Sequence, residues 1–123
     1  MRIIAGKYRG KKLQEFDLDS TKPTLDRVKE SMFNLIQFDV VDSKVLDLFS
    51  GTGALGVEAL SRGAASCVFV DANTQAIEIT KNNSRDIDGL KTYIKSDYLD
   101  YLNQCKDKFD IILLDPPHRI ESN

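Results

Sequence analysis

Val45-Leu46-Asp47-Leu48-Phe49-Ser50-Gly51-Thr52-Gly53-Ala54-Leu55-Gly56 is the stretch that decides how this chain folds. The apolar residues from Val45 to Phe49 read as a buried strand, the glycines as a tight turn, and Gly53 to Arg62 as a helix ended by Gly63. Glycines at such a turn let the backbone approach a ligand closely, and the helix start offers free N–H groups and a positive dipole end. The pattern points to a nucleotide-like cofactor. Gly51-x-Gly53-x-x-Gly56 taken alone also fits the dinucleotide fingerprint. Asp47 shifts the balance, because a carboxylate four residues before the first glycine suits an ammonium group and repels a pyrophosphate held against the loop.

Working outward, strand and helix patterns alternate. Cys67 to Asp71 reads as a strand, Thr74 to Arg85 as a helix, Thr92 to Lys95 as a weaker strand, Tyr98 to Cys105 as a short helix and Phe109 to Asp115 as a strongly apolar strand. Regular alternation of this kind predicts an α/β domain whose parallel sheet is covered on both faces. The last strand is apolar on both sides, as a central strand is, so the chain is expected either to continue or to need a partner there. Upstream, Leu25, Val28, Met32, Leu35 and Ile36 form a helical stripe that predicts a helix over about Thr24 to Gln37, with Thr24 as N-cap.

Three carboxylates fall at the ends of predicted strands. Asp71 lies twenty residues after Gly51, where an acid can accept both ribose hydroxyls of an adenosine. Asp97 begins a helix and can accept from an adenine amino group, cap the helix, or do both. Asp115-Pro116-Pro117-His118 directly follows the apolar strand, which delivers Asp115 to the ligand crevice beside the glycine loop. The two prolines hold Asp115 and Pro116 in extended geometry. A base amino group is poorly nucleophilic because its lone pair is delocalised into the ring. The Asp115 carboxylate and the Pro116 carbonyl, accepting the two N–H hydrogens, direct that lone pair at an electrophilic methyl group, which is catalysis by orientation and electrostatics.

Composition bounds the alternatives. The chain has 123 residues, 41% of them hydrophobic and 29% charged, as in an ordinary globular domain, and no apolar run approaches membrane length. The N-terminus lacks the apolar stretch of a secretory signal, so a cytoplasmic location is expected, with no membrane partner. Cys67 and Cys105 form no CxxC pattern and read as reduced structural thiols; with one histidine in the chain, no metal is expected. Net charge is -2, but Met1 to Leu13 holds five basic residues and no acidic one. The basic residues Arg2, Lys7, Arg9, Lys11 and Lys12 can meet phosphates, and the spacing of Gly6 and Gly10 around Tyr8 suggests a small hairpin. One domain over residues 1–123 is expected, with 1–22 as a basic arm.

The glycine motif, Asp71, Asp97 and Asp115-Pro116-Pro117, in that order, make the chain resemble class I S-adenosylmethionine-dependent methyltransferases that modify amino groups. Met1-Arg2-Ile3-Ile4-Ala5-Gly6-Lys7-Tyr8-Arg9-Gly10 and Pro23-Thr24-Leu25-Asp26-Arg27-Val28-Lys29-Glu30-Ser31-Met32-Phe33-Asn34 are similar to the opening segments of the RsmD family, which makes N2-methylguanosine in bacterial small-subunit 16S ribosomal RNA. The resemblance implies a Rossmann-like sheet with helices on both faces and S-adenosylmethionine as cofactor. It gives Asp47, Gly51 and Gly53 to the methionine part, Asp71 to the ribose and Asp97 to the adenine, with Ser50, Ala72 and Tyr98 also binding the cofactor. Asp115, Pro116, Pro117 and His118 go to the target base, His118 standing where the family has Tyr or Phe. The basic arm, Arg27 and Asn34 face RNA, either free or in an assembling 30S particle. Family members carry three more strands, so this chain's sheet is expected to be short at its C-terminal side. Competing readings are a DNA adenine-N6 methyltransferase, an NAD-dependent oxidoreductase, and an inactive RNA-binding fragment.

Overall fold

The computed structural model describes residues 1–16 and 24–115, the side chains of residues 24 and 25 excepted. In chain order the elements are α1 (Thr24–Leu35), β1 (Lys44–Asp47), α2 (Ala54–Ser61), β2 (Ser66–Asp71), α3 (Thr74–Ser84), β3 (Leu90–Lys95), α4 (Tyr98–Gln104) and β4 (Ile111–Leu113). The four strands form one parallel sheet in the order β3-β2-β1-β4. Going from β1 the chain adds strands outward on one side, then crosses back to place β4 on the other. The order therefore reverses between β1 and β4, and in open α/β sheets the ligand crevice lies at the carboxyl ends of the strands beside such a reversal.

Side chains alternate across the sheet, as the pleat requires. Val45, Cys67, Phe69 and Leu113 face one side, where they share a core with Val57, Ala59 and Leu60 of α2, Phe33 of α1 and Ile3 and Leu13 of the N-terminal segment. Leu46, Leu48 and Val70 face the other, against Tyr101 of α4. The expected α/β sheet with helices on both faces is thus present. Gly56 has no room for a side chain: a Cβ there would stand 2.3 Å from the Phe69 ring and 2.7 Å from the Cys67 sulfur. The third glycine of the motif serves the packing of helix on strand. Both cysteines are free thiols, Cys67 buried and Cys105 partly so.

The N-terminal segment is a tight hairpin. Ile3 N–H donates to Lys11 O at 3.0 Å, Gly10 N–H to Ile3 O at 2.8 Å and Leu13 N–H to Met1 O at 2.9 Å, with Arg2 bridging Lys12 in antiparallel sense. Its turn lies against α2, where Lys7 N–H donates to Ser61 O at 2.9 Å. Ile3 and Leu13 reach the core.

Three expectations are corrected. The first helix ends at Leu35, short of Gln37, and Thr24 stands inside it rather than capping it. Its buried face is also a different one: Lys29 and Phe33 point inward, while Val28 and Leu35 of the expected stripe are 53% and 87% exposed. Met32 and Ile36 of that stripe do pack partly against the core, and the inward face turns toward residues 29 and 33 because Lys29 finds an acid there. Finally, β4 spans only Ile111–Leu113 and lies at the edge of the sheet, with Ile112 and Leu114 about half exposed.

Candidate active site

The strand ends bring the predicted acids to one edge. Asp47 closes β1, Asp71 closes β2, Asp97 follows β3 and Asp115 follows β4. In register, Asp47 stands beside Phe69 and Leu113, and Asp71 beside Lys95.

The glycine loop sits between Asp47 and Asp71. Gly53 caps α2 with φ 83°, a left-handed conformation that a side chain disfavours, and Gly51 has φ 56°. Asp71 accepts from Gly51 N–H at 2.9 Å through one oxygen and from Asn73 N–H at 2.9 Å through the other. Asp47 is fully buried. One of its oxygens accepts from Gly56 N–H at 3.1 Å, and the other has no partner among the described residues. Burial pushes this carboxyl up from the ordinary 3.8 to about 7, the negative charges of Asp115 and Asp71 push the same way, and the Gly56 amide opposes them.

Ser50 is buried, its N–H donating to Val70 O at 2.9 Å and its hydroxyl 3.2 Å from that of Thr80. Ala72 is exposed just beyond Asp71. Asp97 caps α4, accepting from Leu99 N–H at 3.0 Å and Asp100 N–H at 3.4 Å. Tyr98, 38% exposed, packs its ring 5.1 Å from that of Phe49, whose position just after β1 makes the two aromatics a wall near the glycine loop. Asp115 is exposed; Pro116, Pro117 and His118 lie outside the described residues.

On the cationic surface, Arg2, Arg9 and Lys12 are exposed and Lys11 is partly buried. Lys7 is exposed too, but forms an ion pair with Asp88. Arg27 and Asn34 are exposed on α1. Lys29, two residues from Arg27, is 2% exposed, donating to Arg2 O at 2.7 Å and pairing with Glu58 at 3.1 Å. Among the described residues no cluster of His, Cys, Asp and Glu could hold a metal, and no helix is long and apolar enough to cross a membrane.

Two residues that the sequence reading passes over hold the loop from behind. Thr80 donates to Gly51 O at 3.0 Å and Asn83 to Thr52 O at 2.7 Å. A signal for them exists: Thr80, Asn83 and Ser84 are polar positions on the same stripe of α3 as Ala76, Ile77 and Ile79, and buried polar groups need partners.

The whole chain, residues 1–123, matches the family model described as conserved hypothetical protein 95. It is 40% identical over 124 residues to the putative rRNA methyltransferase YlbH of Bacillus subtilis, covering 97% of this chain and 67% of that protein. It is 38% identical over 120 residues to ribosomal RNA small subunit methyltransferase D of Escherichia coli, covering 97% and 61%. The chain belongs to the RsmD family. Among solved structures, the putative methyltransferase yhhF of Escherichia coli superposes with a TM-score of 0.85 at 35% identity, over 97% of this chain and 65% of that one. The chain thus spans between three fifths and two thirds of the length of these RsmD relatives.

Proposed function

We propose that this RsmD-family chain is the cofactor-binding core of an S-adenosylmethionine-dependent methyltransferase that acts on small-subunit (16S) ribosomal RNA at the exocyclic N2 amino group of a guanine. The observation that carries the reading is that Asp97, Asp71, Asp47 with the glycine loop, and Asp115 follow one another along one end of the sheet, the order in which an adenine, a ribose, a methionine head and a target base need them. The names of the relatives supply ribosomal RNA as substrate class. A cytoplasmic location goes with this reading.

The residues suit the cofactor. The buried Asp47 oxygen that has no partner among the described residues needs a hydrogen-bond partner, and an ammonium placed there would supply a donor and favour the ionised carboxylate. Asp71 is free to exchange its hydrogen bonds from loop amides for ribose hydroxyls, and a carboxylate beneath the loop disfavours the pyrophosphate of NAD. When bound, S-adenosylmethionine supplies an electrophilic methyl group. The protein's own residues bind and aim. Asp115 accepts one N–H of the target amino group and is the base to which its proton passes; Pro116 contributes a carbonyl for the other N–H, and His118 a planar ring for stacking on the base. Arg2, Arg9 and Lys12, with Arg27 and Asn34, offer contacts to RNA, and Lys7 and Lys11 flank them.

The test is tritiated methyl transfer to small-subunit particles, to free 16S RNA and to DNA, with digestion of the products to nucleosides. N2-methylguanosine in RNA is expected, and Asp115→Ala should lower its rate by about 10²-fold or more while S-adenosylhomocysteine affinity stays within a few-fold. Label in DNA adenine would overturn the substrate, and binding of NAD in place of S-adenosylhomocysteine would overturn the cofactor.

A further inference from the structure

Asn83, in the last turn of α3, is 4% exposed and spends its whole side-chain amide on two distant pieces of backbone. Its oxygen accepts from Gln14 N–H at 2.7 Å, and its nitrogen donates to Gln14 O at 3.0 Å and to Thr52 O at 2.7 Å. Gln14 directly follows Leu13, whose N–H closes the basic hairpin on Met1. Thr52 stands between the two left-handed glycines of the loop. A single planar amide therefore joins the end of the hairpin to the centre of the glycine loop. Among the described residues no hydrogen bond links these two segments directly.

We propose that Asn83 is a positioning residue that couples the RNA-facing hairpin to the cofactor loop, so that binding of nucleic acid and of cofactor reinforce each other. The inference rests on the functional reading above. Gly51 and Gly53 of the loop both occupy left-handed conformations, and Gly51 has open space around it, so the loop depends for its shape on the groups that hold its backbone. Its position is set from α3, by Thr80 on Gly51 and Asn83 on Thr52. The hairpin is fixed at its far end by α2, through Ser61 and Glu58, and at its near end by Lys29 on Arg2 O, by Asn82 on the Gln14 side chain and by Asn83 through the two Gln14 backbone bonds, of which only Asn83 also reaches the glycine loop. Phosphates drawn to Arg2, Arg9 and Lys12 restrain the hairpin, which keeps Gln14 on Asn83 and so keeps Asn83 on Thr52. Coupling between two sites is reciprocal, so a cofactor that orders Thr52 must tighten RNA to the same degree. A link through one amide belongs at the low end of the usual range, about fivefold.

Equilibrium dialysis of radiolabelled S-adenosylhomocysteine against the full chain, with and without saturating 16S RNA transcript, measures the coupling. The wild-type chain should bind about fivefold tighter with RNA present. In Gln14→Pro, which removes the N–H that Asn83 accepts and leaves the Asn83–Gln14 O and Asn83–Thr52 bonds in place, affinity without RNA should stay within twofold of wild type and the RNA effect should fall. Asn83→Ala should abolish the RNA effect and in addition weaken binding without RNA. Asn82→Ala, which removes a side-chain bond to Gln14 and one from Arg85 but no bond to the hairpin backbone or the glycine loop, should keep the full effect; thermal unfolding of each variant checks that it folds. Wild-type binding that is the same with and without RNA overturns the coupling and leaves the function standing, as does coupling that is undiminished in Gln14→Pro and survives in folded Asn83→Ala. Failure of the wild-type chain to bind S-adenosylhomocysteine at all overturns the functional reading, and the coupling with it.

Discussion

Two of the described carboxylates are fully shielded from water, and they could hardly be served more differently. Glu58, in the middle of α2, accepts from Ile4 N–H at 2.9 Å and Ala5 N–H at 3.1 Å, and pairs with Arg62 at 2.7 Å and Lys29 at 3.1 Å. Asp47, at the end of β1, has one amide donor and an oxygen with nothing to accept from among the described residues. Desolvating a charge is costly unless donors replace the lost water. Where they do, as around Glu58, the acid is a structural joint that ties the hairpin and α1 to α2. Where they do not, as at Asp47, the folded chain tolerates a group that folding alone leaves unsatisfied, which is the mark of a place prepared for something else.

The contrast can be broken at three points. Glu58→Ala should have the largest effect, because it strands the ammonium of Lys29 in the core: a loss of about 3–5 kcal/mol in urea unfolding is expected. A loss under about 1 kcal/mol would mean that Lys29 escapes to solvent and that the joint is dispensable.

Asp47→Asn should act through pH. Because the Asp47 carboxyl is raised from 3.8 to about 7, the folded chain holds a proton there that the unfolded chain has released. The stability this proton confers is complete below the unfolded value and is lost as pH rises through about 7. The asparagine variant has no such dependence, so its stability relative to wild type should improve by roughly 1.4 kcal/mol per pH unit across that window, read by urea unfolding between acid and neutral pH. At the same time the variant should bind S-adenosylhomocysteine about tenfold or more weakly, having lost a charge-assisted hydrogen bond. A flat stability difference would show that Asp47 ionises as an ordinary surface acid does.

The smallest effect is expected at Asp97, which is exposed. Asp97→Ala removes the cap of α4 and should cost about 1 kcal/mol. Comparing this loss with the change in S-adenosylhomocysteine affinity separates the two roles of the residue: a stability change with unaltered affinity would leave it a cap and nothing more.

What the sequence reveals here, and what it conceals, follows the range of the contacts. The boundaries of β2 and α3 can be read to within a residue, because Ser66–Asp71 and Thr74–Ser84 are delimited by local patterns of apolar residues and by Asn73, which caps α3 by accepting from Ala76 N–H at 3.0 Å. Asp47, Gly51 and Asp71 stand out as candidates for the same reason, their spacing along the chain matching the ends of successive strands. The inward face of α1 is not legible, since Lys29 is buried only because Glu58, in another helix, receives it. Nor are the duties of Thr80 and Asn83, whose partners lie 29 and 31 residues back in the loop and 69 residues back in the hairpin. Glu58 carries a faint local sign, a lone charge in the apolar run Ala54-Leu55-Gly56-Val57-Glu58-Ala59-Leu60, but nothing nearby says which groups will answer it.

The hairpin has a consequence for the order of events in biosynthesis. Ile4 must find Glu58, 54 residues later; Gln14 must find Asn83, 69 residues later; Lys7 must find Asp88, 81 residues later. At a translation rate of about 5–20 residues per second, the hairpin waits for roughly 4–16 s before its last partner has been made. Until then Ile3 and Leu13 have no core to enter, and the arm is available to whatever binds apolar segments or polyanions near the ribosome. The first part of this chain to be synthesised is among the last to be seated, and the ribosome that makes it is also a large source of the RNA to which its cations are suited.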